Sequence, residues 1–143
     1  MEKPASTANR GKVAEKEVKR RLEQLSVNSE IAAYRLPDAR AGSFTPTLAD
    51  FLVVQRGEMC LLEIKETQHE YRLPHANFGK DQVARMQRFQ LAGAKAYVLV
   101  YHSTLKKWRK ARLDYFQERQ GGSWDLRDLP LCELKDILSI DKL

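Results

Sequence analysis

No stretch of this sequence runs apolar for the roughly 20 residues that a helix needs to cross a bilayer. The opening residues, "MEKPASTANRGK", lack the apolar core of a signal peptide, so a cytoplasmic location is the expectation. Cysteine is scarce. Cys60 and Cys132 stand alone with no CxxC spacing, which argues against a disulfide framework or a zinc ribbon, and both read as reduced core residues. His69, His75 and His102 are not spaced as a metal cluster; the first two read as loop residues and His102 as a strand-end bystander. Internal repeats and low-complexity segments are absent as well.

What is present is an ordinary globular composition, 43% hydrophobic and 31% charged, over 143 residues, enough for one domain with its own core. The formal net charge is +6 and the pI near 9.4, which suits an anionic partner without identifying one. Residues 1–8 read as a loose tail and 9–143 as a single domain. From about Asn9, "NRGKVAEKEVKRRLEQL" carries Ala14, Val18, Leu22 and Leu25 on one helical stripe. A strand follows at 31–36, then a loop, "PDARAGSFTP". A hairpin spans 47–66, and the polar run "TQHEYRLPHANFGK" is long enough to be a functional loop. "DQVARMQRFQLAG" predicts a helix closed by Gly93. "KAYVLVYHS" predicts a buried strand, "KKWRKARL" a more exposed one, and 131–138 a last helix. This order implies an α/β fold with a central mixed β-sheet flanked by helices.

The hairpin, "TLADFLVVQRGEMCLLEIKE", carries charges that a buried hairpin does not need. With "QRGE" as a four-residue loop, Val54 pairs with Met59, Val53 with Cys60, and Asp50 stands opposite Glu63. Directly opposed residues have Cβ atoms about 4.5–5.5 Å apart, so two carboxylates there repel unless something joins them. A hard divalent cation such as Mg²⁺, with Mn²⁺ as a substitute, turns that repulsion into a site. Lys65 projects from the same face, where an ammonium can orient a water or offset phosphate charge. A one-residue slip would separate the carboxylates. The alternative is a solvated Glu63–Lys65 pair at an exposed strand end, worth little.

The pattern "ADFLVV…LEIK" resembles the core motif of the PD-(D/E)xK nuclease superfamily, with Ala49 in place of the proline. The resemblance implies a restriction-endonuclease-like core in which Asp50 and Glu63 bind metal, the Ile64 carbonyl is a further ligand, and Lys65 is the catalytic lysine. "RGKVAEKEVKRRLE" is similar to the helix opening of phage endonuclease I and archaeal-type junction resolvases, which implies that Glu15 joins the catalytic and metal-binding set. Its angular position fits: at ~100° per residue Glu15 lies about 65° from the centre of the apolar stripe, and Glu17 about 95°. An ordinary pairing of Glu15 with Lys19 is the alternative.

"YRLPDARAGSFTPTLADF" and "FGKDQVARMQRFQLAGAKAYVLVY" resemble the flanks of the active site in RecU-like resolvases. That likeness implies a glutamine facing the site, which Gln82 matches; Asp38 is either a further acidic residue near the metal or a turn residue after Pro37. The tyrosine of the exonuclease QxxxY pattern is missing, since Met86 stands there. The resemblance spans roughly 9–103 and implies a metal-dependent, structure-specific endonuclease acting on branched DNA as a homodimer, best described as a Holliday junction resolvase. A flap or nicking nuclease, or a non-catalytic DNA-binding module, are the alternatives; a phage or prophage recombination gene fits the likeness. Basic residues crowd the first helix (Lys12, Arg20) and the late strand (Lys107, Arg109); with Arg40 and Gln82 these are the expected DNA contacts. Arg35 either touches phosphate or lies on solvated surface, and Trp108 either stacks or packs. No base-reading motif accompanies them, so the expectation is recognition of DNA shape.

Overall fold

The architecture follows from where the apolar residues alternate and where they recur every third or fourth position. The computed structural model describes residues 7–37, 47–79, 81–116 and 121–143, with the backbone alone given for 7–12. Helix α1 (Thr7–Leu25) begins inside the stretch expected to be tail, and buries Ala14, Val18, Leu22 and Leu25 as the stripe predicts. Burying a side chain of the Val or Leu kind contributes about 1.5–3 kcal/mol, so this stripe suffices to dock α1. Strands β1 (Ile31–Arg35), β2 (Phe51–Gln55), β3 (Glu58–Thr67), β5 (Lys95–His102) and β6 (Lys107–Arg112) form one sheet in the order β1-β2-β3-β5-β6. Strands β3 and β5 run parallel and the other neighbours antiparallel, so the sheet is mixed as expected.

The β3–β5 crossover contains the short strand β4 (Arg72–Pro74), a 3-10 turn (His75–Asn77) and helix α2 (Gln82–Leu91). Gly93 closes α2 with φ near +115°, a region that suits glycine. A second 3-10 turn (Leu113–Phe116) leads to β7 (Ser123–Asp125), which pairs with β4 as a small separate sheet. The last helix, α3 (Leu134–Ile137), is shorter than predicted; Glu133 and Asp136 cap it reciprocally. One core joins α1 and the α3 region to the sheet through Phe51, Val53, Leu62, Ile64 and Leu99. The other lies beneath α2 and holds Leu61, Met86, Val98 and Val100. Successive residues of β3 therefore face different cores, which puts Leu61, Glu63 and Lys65 on the α2 side.

The β2–β3 register is the predicted one, Val54 with Met59 and Val53 with Cys60. The loop is tighter than expected, because Gln55 pairs with Glu58 and only Arg56 and Gly57 turn. Both have positive φ, 51° and 80°, as a two-residue turn matched to strand twist requires. The shorter loop leaves the count along the ladder unchanged, so the chemistry at its far end is unaffected.

Candidate active site

Strand β2 begins at Phe51, paired with Leu62, so Asp50 is the next position out, opposite Glu63. The Asp50 N–H donates to the Leu62 carbonyl at 3.1 Å, continuing the ladder by one bond. Its Oδ2 then accepts the Ile64 N–H at 2.7 Å, so the carboxylate takes the place of a backbone acceptor. Both acids are buried, Asp50 at 7% exposure and Glu63 at 3%. The Asp50 carboxyl is hydrogen-bonded to Glu63 on one side and to Glu15 of α1 on the other. Three acids from three elements thus form a chain with Asp50 in the middle.

Burial is the main cause of the resulting proton affinity. It pushes the Asp50 carboxyl up to about 8, helped by its contact with Glu63 and opposed by the Ile64 N–H. Glu15 is pushed up to about 7, first by burial and then by Asp50. Arg35, at the end of β1, opposes that shift: its Nη2 lies 2.8 Å from Glu15 Oε2 and 3.9 Å from Asp50 Oδ1. Its Nη1 donates to the Asp50 and Leu36 carbonyls. Arg35, weighed from sequence as a phosphate contact or a surface residue, instead ties α1 to the hairpin end.

Lys65 lies beside Glu63, two residues along the same face. Its Nζ donates to the Asn77 carbonyl at 2.6 Å, approaches Gln82 Oε1 at 3.3 Å and sits 3.6 Å from Glu63 Oε2. The Gln82 amide donates to the same Glu63 oxygen. Gln82 is the first residue of α2 and 8% exposed, so it faces the acids as the resemblance implied. It is buried against Glu63 and Lys65, in the interior of the site. Asn77, whose own Nδ2 donates to the Glu66 carbonyl at 3.0 Å, was not singled out from sequence. Its role depends on a backbone carbonyl, which leaves no signature in residue type.

Among the described residues no three His, Cys, Asp or Glu side chains converge as a ready-made metal cage. The acids form a chain, with Glu15 in contact with Asp50 and Asp50 in contact with Glu63. That arrangement suits Mg²⁺ or Mn²⁺, because Mg²⁺ keeps several waters and needs only one or two carboxylates. The donor set is all oxygen, and a cation would offset the burial and mutual repulsion that raise the proton affinity of Asp50 and Glu15. The residues present therefore fit a hard divalent ion held mainly by Asp50 and Glu63.

Other expected residues fall elsewhere. Arg109 is 6% exposed, and its guanidinium donates to the Leu129 and Glu70 carbonyls and to His102 Nε2. It braces the fold, because on β6 its side chain turns inward between two loops and away from the surface where a DNA contact was expected. His102 is no bystander: fully buried, it donates from Nδ1 to the His69 carbonyl, and burial holds its pKa below the usual value. Trp108 packs beside Tyr101 in the α1-side core. Arg20 is exposed on α1, and Lys107 is half-buried and paired with Glu133. Lys12 lies on α1 where only the backbone is described; Asp38 and Arg40 lie outside the described residues.

Comparison with known proteins places this geometry. No curated protein sequence matches the chain. Among solved structures, a Holliday junction resolvase, Hjc, from the archaeon Archaeoglobus fulgidus matches with a TM-score of 0.60 at 20% identity. The match covers 89% of this chain and 98% of that one, so the two share a fold. The family model described as RecU, recombination protein U, matches residues 10–123, a span that holds Glu15, Asp50, Glu63, Lys65 and Gln82. With most of its length matched, the chain belongs to the RecU family.

Proposed function

We propose that this protein is a Mg²⁺-dependent endodeoxyribonuclease that resolves Holliday junctions. The observation that carries the reading is the buried Asp50–Glu63 contact with the Lys65 ammonium 3.6 Å from Glu63. A binding module has no need to bury two opposed carboxylates against a lysine, given what burying charge costs. Membership of the RecU family and the fold shared with an archaeal junction resolvase support the same reading.

Asp50, Glu63 and the Ile64 carbonyl would hold the cation, with Glu15 assisting through Asp50. Such an ion supplies charge neutralisation at the phosphate and a more acidic bound water. Gln82 fixes the orientation of Glu63, and Lys65 holds the attacking water or the phosphate oxygen beside it. Arg20, exposed on α1, and Lys107, half-buried on β6, would supply sequence-independent phosphate contacts, and Lys12 and Arg40 would add two more. Two copies cutting opposed strands would act as a homodimer. The exposed apolar residues Tyr34, Val54, Phe89 and Leu91 suit such an association. A cytoplasmic location accords with a substrate of cellular DNA, and no helix among the described residues is long and apolar enough to cross a membrane.

The test uses end-labelled four-way junction, flap and matched duplex DNA with Mg²⁺, Mn²⁺ or EDTA. Paired symmetrical nicks near the crossover, dependent on metal and absent from duplex, are the expected result. Cutting confined to flaps or duplex would remove the resolvase assignment. Tight binding without cutting in any metal would turn the reading to a DNA-binding module.

A further inference from the structure

Lys65 has a long, flexible side chain, and a bare ammonium on four carbons has many rotamers to lose before it can serve a reaction. Its Nζ donates to the Asn77 carbonyl and to Gln82 Oε1, and lies 3.6 Å from the Glu63 carboxylate as an ion pair. Another side of the ammonium faces an aromatic ring, since Lys65 Nζ lies 4.6 Å from the centroid of the Phe78 ring. That ring is itself fixed. It is 5% exposed, meets Trp124 edge-on at 5.3 Å and tilts against Phe116 at 5.2 Å. Trp124 and Phe116 meet edge-on at 4.9 Å, which closes a three-ring box. His75 covers Trp124 at 4.2 Å, and the His75 N–H donates to the Gly122 carbonyl at 3.0 Å. Pairing of Leu73 with Trp124 in the β4–β7 sheet anchors the box to the 3-10 turn that carries Asn77.

We propose that Phe78, held by Trp124 and Phe116, is a positioning residue that aims the Lys65 ammonium at the Glu63 end of the site. The proposal rests on the nuclease reading for its kinetic consequence, and on geometry alone for the placement. An aromatic face attracts a cation through its quadrupole, and the attraction grows where water is excluded. A leucine of similar bulk would fill the space yet offer no such face, leaving Lys65 with fewer constraints. The small β4–β7 sheet thereby acquires a purpose: it carries the ring that orients a side chain on the main sheet.

The test compares Phe78→Leu with Phe78→Tyr, which keeps the ring face. Three measurements are made on the full chain: single-turnover cleavage of a labelled four-way junction in Mg²⁺, junction affinity in EDTA, and the NMR shift of the Lys65 ε-methylene. The wild type should show that methylene shifted upfield by the ring current; Phe78→Tyr should retain the shift and Phe78→Leu should lose it. Phe78→Leu should cut about tenfold more slowly at unchanged junction affinity, with Phe78→Tyr near the wild-type rate. A merely structural role would lower both variants, or binding and cutting together, and would overturn the proposal; so would Phe78→Leu at the wild-type rate. An upfield shift in a wild type that cuts no DNA would uphold the placement and overturn both the nuclease reading and the kinetic role. An unshifted methylene in an active wild type would overturn the placement and leave the nuclease reading standing.

Discussion

Replacing Lys65 with alanine should lower junction cleavage by at least about 100-fold while leaving junction affinity nearly unchanged. The ammonium lies 3.6 Å from Glu63 and is largely buried, so it is poorly placed to contribute to long-range attraction of DNA. Surface cations such as Arg20, exposed on α1, are better placed for that task, and their contribution falls with salt. A group that acts on the transition state alone lowers the rate and spares binding. Single-turnover rates at saturating enzyme, beside gel-shift affinities in EDTA, separate the two effects. If Lys65→Ala lost binding as steeply as cleavage, the lysine would be a DNA contact; if it cut normally, its catalytic role would be gone.

The second large effect is on stability in the absence of metal. Asp50 rises from 3.8 to about 8 on folding, and Glu15 from 4.5 to about 7, both chiefly through burial. The folded state therefore binds protons that the unfolded chain releases above about pH 4, and stability falls as pH rises. The fall begins above the unfolded values, near 3.8 and 4.5, and levels off above the folded ones, about 7 and 8. One fully coupled proton is worth about 1.4 kcal/mol per pH unit, so the fall is steepest between the higher unfolded value and the lower folded one, where both carboxyls take part. Thermal melts in EDTA from pH 4 to pH 9 should show a declining Tm. Asp50→Asn should flatten the slope, and Mg²⁺ should raise the wild-type Tm most at the alkaline end, where a cation replaces protons. A Tm that held level across the range in EDTA would mean that the three acids are not coupled as the structure places them.

The part of the site that was legible in the sequence is the part controlled by a two-residue period. Asp50 and Glu63 fall opposite each other because Val53–Cys60 and Val54–Met59 set the count, and a misjudged loop length does not alter it. Glu15 was legible for a parallel reason, its place at the edge of the Ala14–Val18–Leu22 stripe. The central mixed sheet followed from the order of elements; its parallel β3–β5 pair, joined through α2, is a finding of the structure.

What escaped notice depends on contacts between segments far apart in sequence. Leu73 and Trp124 pair across about 50 residues, and neither short strand has enough length to announce itself. Arg109 stands among Lys106, Lys107, Lys110 and Arg112, and composition alone assigned it to the same exposed group. Only the loops bearing Glu70 and Leu129, folded over β6, reveal that its guanidinium has backbone acceptors inside. Arg35 was ambiguous for the same reason, since its partner Glu15 lies 20 residues earlier on another element. Charge is readable from sequence, but its partner is not.

Calorimetric titration of the metal-free protein with Mn²⁺ near pH 7 tests the central claim, that the opposed carboxylates are a cation site, without relying on any DNA substrate. Binding with proton release is the predicted result for the wild type, because the ion displaces protons held by Asp50 and Glu15. Asp50→Asn and Glu63→Gln should each weaken that binding severely. An absent binding heat in the wild type at several temperatures, or a Mn²⁺ isotherm unchanged in both variants, would contradict the account.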